Sequence, residues 1–94
     1  MKMTNLNLKK AQRLINKGAK LWEIGNNSGN SDVLAQKEKE SQTAYRRAEK
    51  IIKEIYPNII ITYPGLYPNY QLNDCNFYNL ESLEHYNPIK DGVL

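Results

Sequence analysis

From Leu8 to Ile24 apolar residues return every three or four positions. At about 100° per residue, Lys9, Lys10, Arg13, Lys17 and Lys20 share one arc, and Leu8, Ala11, Leu14, Ile15, Gly18, Ala19, Leu21 and Trp22 share the opposite one. That pattern predicts an amphipathic helix with one charged face and one core face. Asn7 is placed to cap its start, and Gly25 followed by Asn26-Asn27 to supply a left-handed stop. After the polar stretch Asn26–Asn30, with Asn30 or Ser31 as the next cap, a second helical period runs from Asp32 to Tyr56 and halts at Pro57. Its apolar side reads Val33, Leu34, Ser41, Ala44, Tyr45, Ala48, Ile51, Ile52, Ile55 and Tyr56. Ser41, Ala44 and Ala48, facing Ala11 and Gly18, are small enough for two helices to approach closely. A turn this short predicts an antiparallel helical hairpin.

The period then changes. Asn58–Tyr63 is a β-branched run that predicts a strand, and Tyr63-Pro64-Gly65-Leu66 fits a type II turn. Asn73-Asp74 between Tyr70-Gln71-Leu72 and Cys75-Asn76-Phe77 predicts a two-residue hairpin, with Leu72 opposite Cys75, Gln71 opposite Asn76 and Tyr70 opposite Phe77. Asn79 is placed to cap a short helix over 80–86 that Pro88 ends. The expected fold is α+β, mainly α: a long antiparallel helical hairpin followed by a small β-hairpin/short-helix cap. One domain spans 1–94, with the hairpin at 7–56, a ββα cap at 58–90 and a frayed tail at 91–94.

Composition narrows the function classes. Leu, Ile, Val and Phe make up 22 of 94 residues, just above the roughly one-fifth below which chains tend to be disordered. The chain can fold, with a thin margin. The one cysteine, Cys75, cannot close an intramolecular disulfide, and the longest aliphatic run, Ile59–Ile61, is far too short for a membrane span. The start, Met1–Leu6 followed by Lys9 and Lys10, lacks the apolar core of a signal peptide, so the expected location is cytoplasmic. The net charge of +3 is unevenly spread: residues 1–31 carry six cations against Glu23, and the segment after Tyr56 holds only Lys90 against four acids. Abundant Asn, Lys, Ile and Tyr point to an A/T-rich genome.

Four candidate features follow. Lys9, Lys10, Arg13, Lys17 and Lys20 form a cationic arc suited to phosphates or an acidic protein surface, or simply a solvated face. Six of the seven tyrosines lie at or after residue 56; among them Tyr63, Tyr67 and Tyr70 flank two prolines and are candidate anchors for a partner, against a bland role roofing a thin sheet. Lys37 and Glu38 interrupt the apolar arc of the second helix, where the end of that helix is expected to project past its shorter partner and offer a docking surface. His85 and Cys75 are the only histidine and cysteine, and Glu81 with His85 makes at most two metal ligands, so no catalytic residue, metal or cofactor is expected.

No family motif is recognisable. The paired helices with their basic face broadly resemble small helical-hairpin RNA-binding regulators of plasmids, in architecture alone, which does not establish a function. The expectation is a non-enzymatic interaction protein acting by stoichiometric binding, a phage- or mobile-element-encoded regulator or inhibitor of a host protein such as a defence nuclease. The alternative is a nucleic-acid-binding module using the first helix. A protein partner is expected, and a homodimer would bury the leftover seam; a membrane partner is not expected.

Overall fold

The computed structural model describes residues 5–86. The expected stop at Pro88, the frayed 91–94 tail and the Met1–Thr4 start lie outside the described residues. Two long helices, α1 (Leu6–Asn27) and α2 (Ser31–Ile55), are followed by β1 (Ile60–Thr62), β2 (Asn69–Leu72), β3 (Cys75–Phe77) and a short α3 (Leu80–Glu84). The molecule is a rod of 51 × 24 × 22 Å, mainly helical, with the small sheet and α3 packed at one end of the hairpin.

The helix ends differ from expectation in instructive ways. Asn5, not Asn7, caps α1: its side chain accepts from the backbone N–H groups of Asn7 and Leu8 at 2.9 and 3.2 Å. Nor does Gly25 stop the helix. It is helical and buried, and a Cβ there would lie 3.0 Å from Lys37 Cβ and 3.4 Å from Leu34 Cα, so a side chain would press on the neighbouring helix. The left-handed glycine is Gly29, at φ 67°. The Asn30 side chain then caps α2 by accepting from Asp32 and Val33. Because α1 is 22 residues long against 25 for α2, the two run alongside each other nearly to their ends, and the expected projection around Lys37 is absent.

Small residues set the helix spacing, as their pattern predicts. Ala11, Ala19, Ala44 and Ala48 are buried in the seam, and Ser41 at 1 % exposure donates its hydroxyl to the Gly18 carbonyl at 2.7 Å. A Cβ on Gly18 would come within 3.0 Å of the Tyr45 ring. That absence of side chain lets an aromatic ring lie against the α1 backbone.

The sheet is antiparallel in the order β1-β2-β3, with Tyr70 opposite Phe77, Gln71 opposite Asn76 and Leu72 opposite Cys75 as the alternation predicts. Asn73 and Asp74 hold φ of 52° and 64°, the pair of positive values a two-residue primed turn requires. The type II turn at Tyr63–Leu66 does not form. Gly65 lacks the positive φ such a turn needs, and residues 64–67 make an open bend. β1 pairs Ile61 with Tyr70, so Ile61, Tyr70 and Phe77 form one cross-strand row facing the helices.

Hairpin and cap share one core. Leu8, Ile15 and Ile52 cluster with Ile59, Tyr70, Leu80 and Leu83, all at 6 % exposure or less. The Glu84 carboxylate accepts from the Asn5 backbone N–H at 3.1 Å, bringing a negative charge to the positive end of α1. No helix among the described residues is long and apolar enough to cross a membrane.

Candidate functional site

The Gly18–Tyr45 approach shapes a concavity of the hairpin. Tyr45 lies on α1 at Gly18, and one helical turn further along α1 stands Trp22. From the other side comes the 63–68 loop, fastened to α2 by two tyrosine hydroxyls. Tyr45 donates to the Leu66 carbonyl at 2.6 Å, and Tyr63 donates to the Glu49 carboxylate at 2.7 Å. The two rings meet at 5.3 Å between centroids, tilted by 56°, a favourable arrangement for aromatic pairs. Between these parts runs an open groove of about 730 Å³, lined by Trp22, Ser41, Tyr45, Tyr63, Gly65 and Leu66, with Glu38, Gln42, Arg46 and Glu49 along its edges. Its walls expose mainly apolar surface. Burial and the neighbouring Glu49 carboxylate push the Tyr63 hydroxyl well above the ordinary tyrosine range, so this ring is neutral throughout the physiological range.

The partner-binding residues read from the sequence separate here. Tyr63 and Tyr67 are 41 % and 53 % exposed on the loop. Tyr70 is corrected: at 1 % exposure it is a core residue held among Leu8, Ile15 and Ile52, with no surface for a partner to meet. Lys37 is half-buried and lies apart from the tyrosine loop. It packs against Gly25 and pairs with Glu40 at 3.2 Å, lining a different groove on the other side of the hairpin with Lys17 and Arg47. Sequence reading assigned Trp22 and Tyr45 to the core. Tyr45 lies toward the margin of its apolar arc, one turn beyond Ser41, but Trp22 falls in the middle of its arc, so the pattern alone carries no signal that this ring lines a surface.

The cationic arc holds together on α1. Lys10, Arg13, Lys17 and Lys20 are exposed and Lys9 is half-buried. Among the described residues no group of three His, Cys, Asp or Glu side chains could hold a metal ion. Cys75 is half-buried with its Sγ 3.7 Å from the Tyr86 hydroxyl, while His85 is exposed at the end of α3.

Comparison with protein-family models, curated proteins and solved structures found no match to this chain. The functional reading therefore rests on the residues themselves.

Proposed function

We propose that this protein is a non-enzymatic docking protein that binds a protein partner stoichiometrically through the groove between α2 and the 63–68 loop. The observation that carries the reading is the groove itself. A half-buried tryptophan, two tilted tyrosine rings in contact and Leu66 line a concavity whose far wall is a loop tied down by two hydroxyl bonds. Aromatic anchors in a pre-formed site are what protein interfaces use for most of their affinity, because little side-chain freedom is lost on binding. Charge narrows the occupant. Glu49 is engaged by Tyr63 and lies 4.0 Å from Lys53, whereas Arg46 at the groove edge is exposed with no carboxylate within 4 Å among the described residues. The fitting partner segment presents an apolar side chain flanked by a carboxylate for Arg46. Action is by masking, as a cytoplasmic regulator or inhibitor would act, and Tyr67 beside the groove widens the contact.

The test compares baits, not single captures. Wild-type protein, Tyr67→Ala, Leu66→Asp and Arg46→Glu are each used to draw partners from nuclease-treated host lysate. A single species retained by wild type at equal stoichiometry and lost with the groove variants supports the reading. A species retained equally by all four baits would overturn it.

A further inference from the structure

The other side of the hairpin carries a second surface, independent of the aromatic groove. Lys10, Arg13, Lys17 and Lys20 stand on successive turns of α1 over about 15 Å of helix axis. The seam beside them is not closed: Leu14, Lys17 and Leu21 of α1 and Lys37, Ala44 and Arg47 of α2 border a shallow groove of about 250 Å³. The cationic face thus extends across both helices, with Lys17 shared between arc and groove. Only one carboxylate, Glu40, lines this groove, and it faces Lys37 at 3.2 Å. Among the described residues none lies within 4 Å of Lys10, Arg13, Lys17, Lys20 or Arg47. Five cations without an ion-pair partner among the described residues are therefore held on one two-helix surface.

We propose that this face, built jointly by α1 and α2, binds the phosphate backbone of double-stranded nucleic acid without reading its sequence. Three features select that ligand. A row of cations about 15 Å long matches the axial span of four to five phosphates of one strand at about 3.4 Å each. No aromatic side chain lines the groove or interrupts the row, so the stacking platform that single strands use is missing. Protein interfaces are depleted of lysine and centred on large apolar anchors, whereas here Leu14 and Leu21 are half-buried in the seam. What remains is a flat electrostatic surface, which suits a stiff polyanion.

The experiment measures binding of the full chain to a labelled 20-base-pair DNA duplex of mixed sequence by fluorescence anisotropy, from about 50 to 200 mM salt. Five engaged phosphates give a log K against log salt slope of about −4.5. Arg47→Gln, on α2, should make the slope shallower by about 1, and Lys10, Arg13, Lys17 and Lys20 changed together to Gln should abolish most of the binding. Every variant, covering seven substituted positions in all, is checked for retained helix by circular dichroism. The control changes Lys39 and Lys53 to Gln, removing two positive charges from the exposed face of α2 away from the groove. Equal loss in that control would reduce the effect to net charge and overturn the proposal. It would equally be overturned by tighter binding to a 20-nucleotide single strand, or by polyglutamate binding as tightly as the duplex. Absence of duplex binding at 50 mM salt would end it outright.

Discussion

The Ser41 hydroxyl, buried in the helix seam, donates to the carbonyl of Gly18 at 2.7 Å, so a polar side chain ties α2 to the backbone of α1 at a point of close approach. The same glycine leaves room for the Tyr45 ring. Removing the hydroxyl in Ser41→Ala should cost about 1 kcal/mol, the net worth of one such bond. Filling the space is expected to cost about as much as losing the bond. Gly18→Ala gains about 1 kcal/mol of helix propensity but sets a methyl 3.0 Å from a ring that its hydroxyl bond to Leu66 keeps from moving away. Overpacking of that kind costs about 1–3 kcal/mol, so the net effect should be destabilising by about 1 kcal/mol. Urea melts of both variants check the two figures.

Tyr70 gives the protein an alkaline sensitivity. Burial, and secondarily the Glu49 carboxylate, raises its hydroxyl above the ordinary value near 10. The folded state therefore holds this proton more tightly than the unfolded chain does. Its stabilising contribution is complete below about pH 10 and is lost as pH rises from there through the raised folded value. Within that window one retained proton steepens the fall by about 1.4 kcal/mol per pH unit. Tyr70→Phe has no proton to lose, so its stability should fall less steeply than wild type between pH 10 and 11. Chemical melts at pH 8, 10 and 11 decide it: parallel pH dependence in the two proteins would rule out Tyr70 as the cause.

How much of this was legible in the sequence depends on whether the information was local. The hairpin register was readable because a period of two and the Asn73-Asp74 pair fix it from neighbours alone. The helices were readable because their apolar arcs are continuous. Their ends were not, because Gly25 is needed for contact with Lys37 and Leu34, a tertiary reason that imitates a stop signal. That misreading shortened α1 at its C-terminal end and created the expected projection at Lys37. The tyrosines were ambiguous for a related reason. Tyr63, Tyr67 and Tyr70 are chemically alike, and only the pairing of β2 between two strands turns Tyr70 inward while the open bend leaves Tyr67 outside. The groove was invisible because Trp22 and Leu66 are 44 positions apart in sequence.

At the β2–β3 turn both central residues sit in the left-handed region, which Asn tolerates well and Asp less so than glycine. Asp74→Gly should relieve that strain, partly offset by greater freedom of the unfolded chain, for a net gain of about 0.5 kcal/mol. Asp74→Val, with a branched Cβ at φ 64°, should lose about 1 kcal/mol or more. The opposite signs are the test, read as shifts in urea midpoint. A loss in the glycine variant would mean that the Asp74 side chain supports the turn in another way.

Trp22 offers a direct reading of the groove, since it is the only tryptophan and one of its walls. Tyr45→Phe removes the hydroxyl that holds the Leu66 carbonyl and leaves the ring in place. The 63–68 loop should then open more readily, at a cost of about 1 kcal/mol, and quenching of Trp22 fluorescence by iodide should rise while helix content stays constant. Unchanged quenching with the same loss of stability would show that the bond supports the fold without controlling access to the groove.

Leu83 decides whether hairpin and cap fold as one unit. It is 1 % exposed and lies in the same cluster as Leu8 of α1 and Ile52 of α2, although α3 spans only five residues. So short a helix has no stability of its own; it persists because Leu80 and Leu83 are buried and Asn79 caps it at 2.8 Å from Ser82 N. In return its Glu84 supports the first turn of α1 through Asn5. Leu83→Ala removes core volume and should cost about 2–5 kcal/mol, much of what a domain of this size holds in reserve. If the core is shared, the loss must appear in both halves at once. Trp22 fluorescence, reporting the hairpin, and amide exchange at Tyr70 and Gln71, reporting the sheet, should shift by the same free energy. A variant that frees the sheet amides while Trp22 keeps its wild-type midpoint would show that the cap unfolds first and the hairpin stands without it.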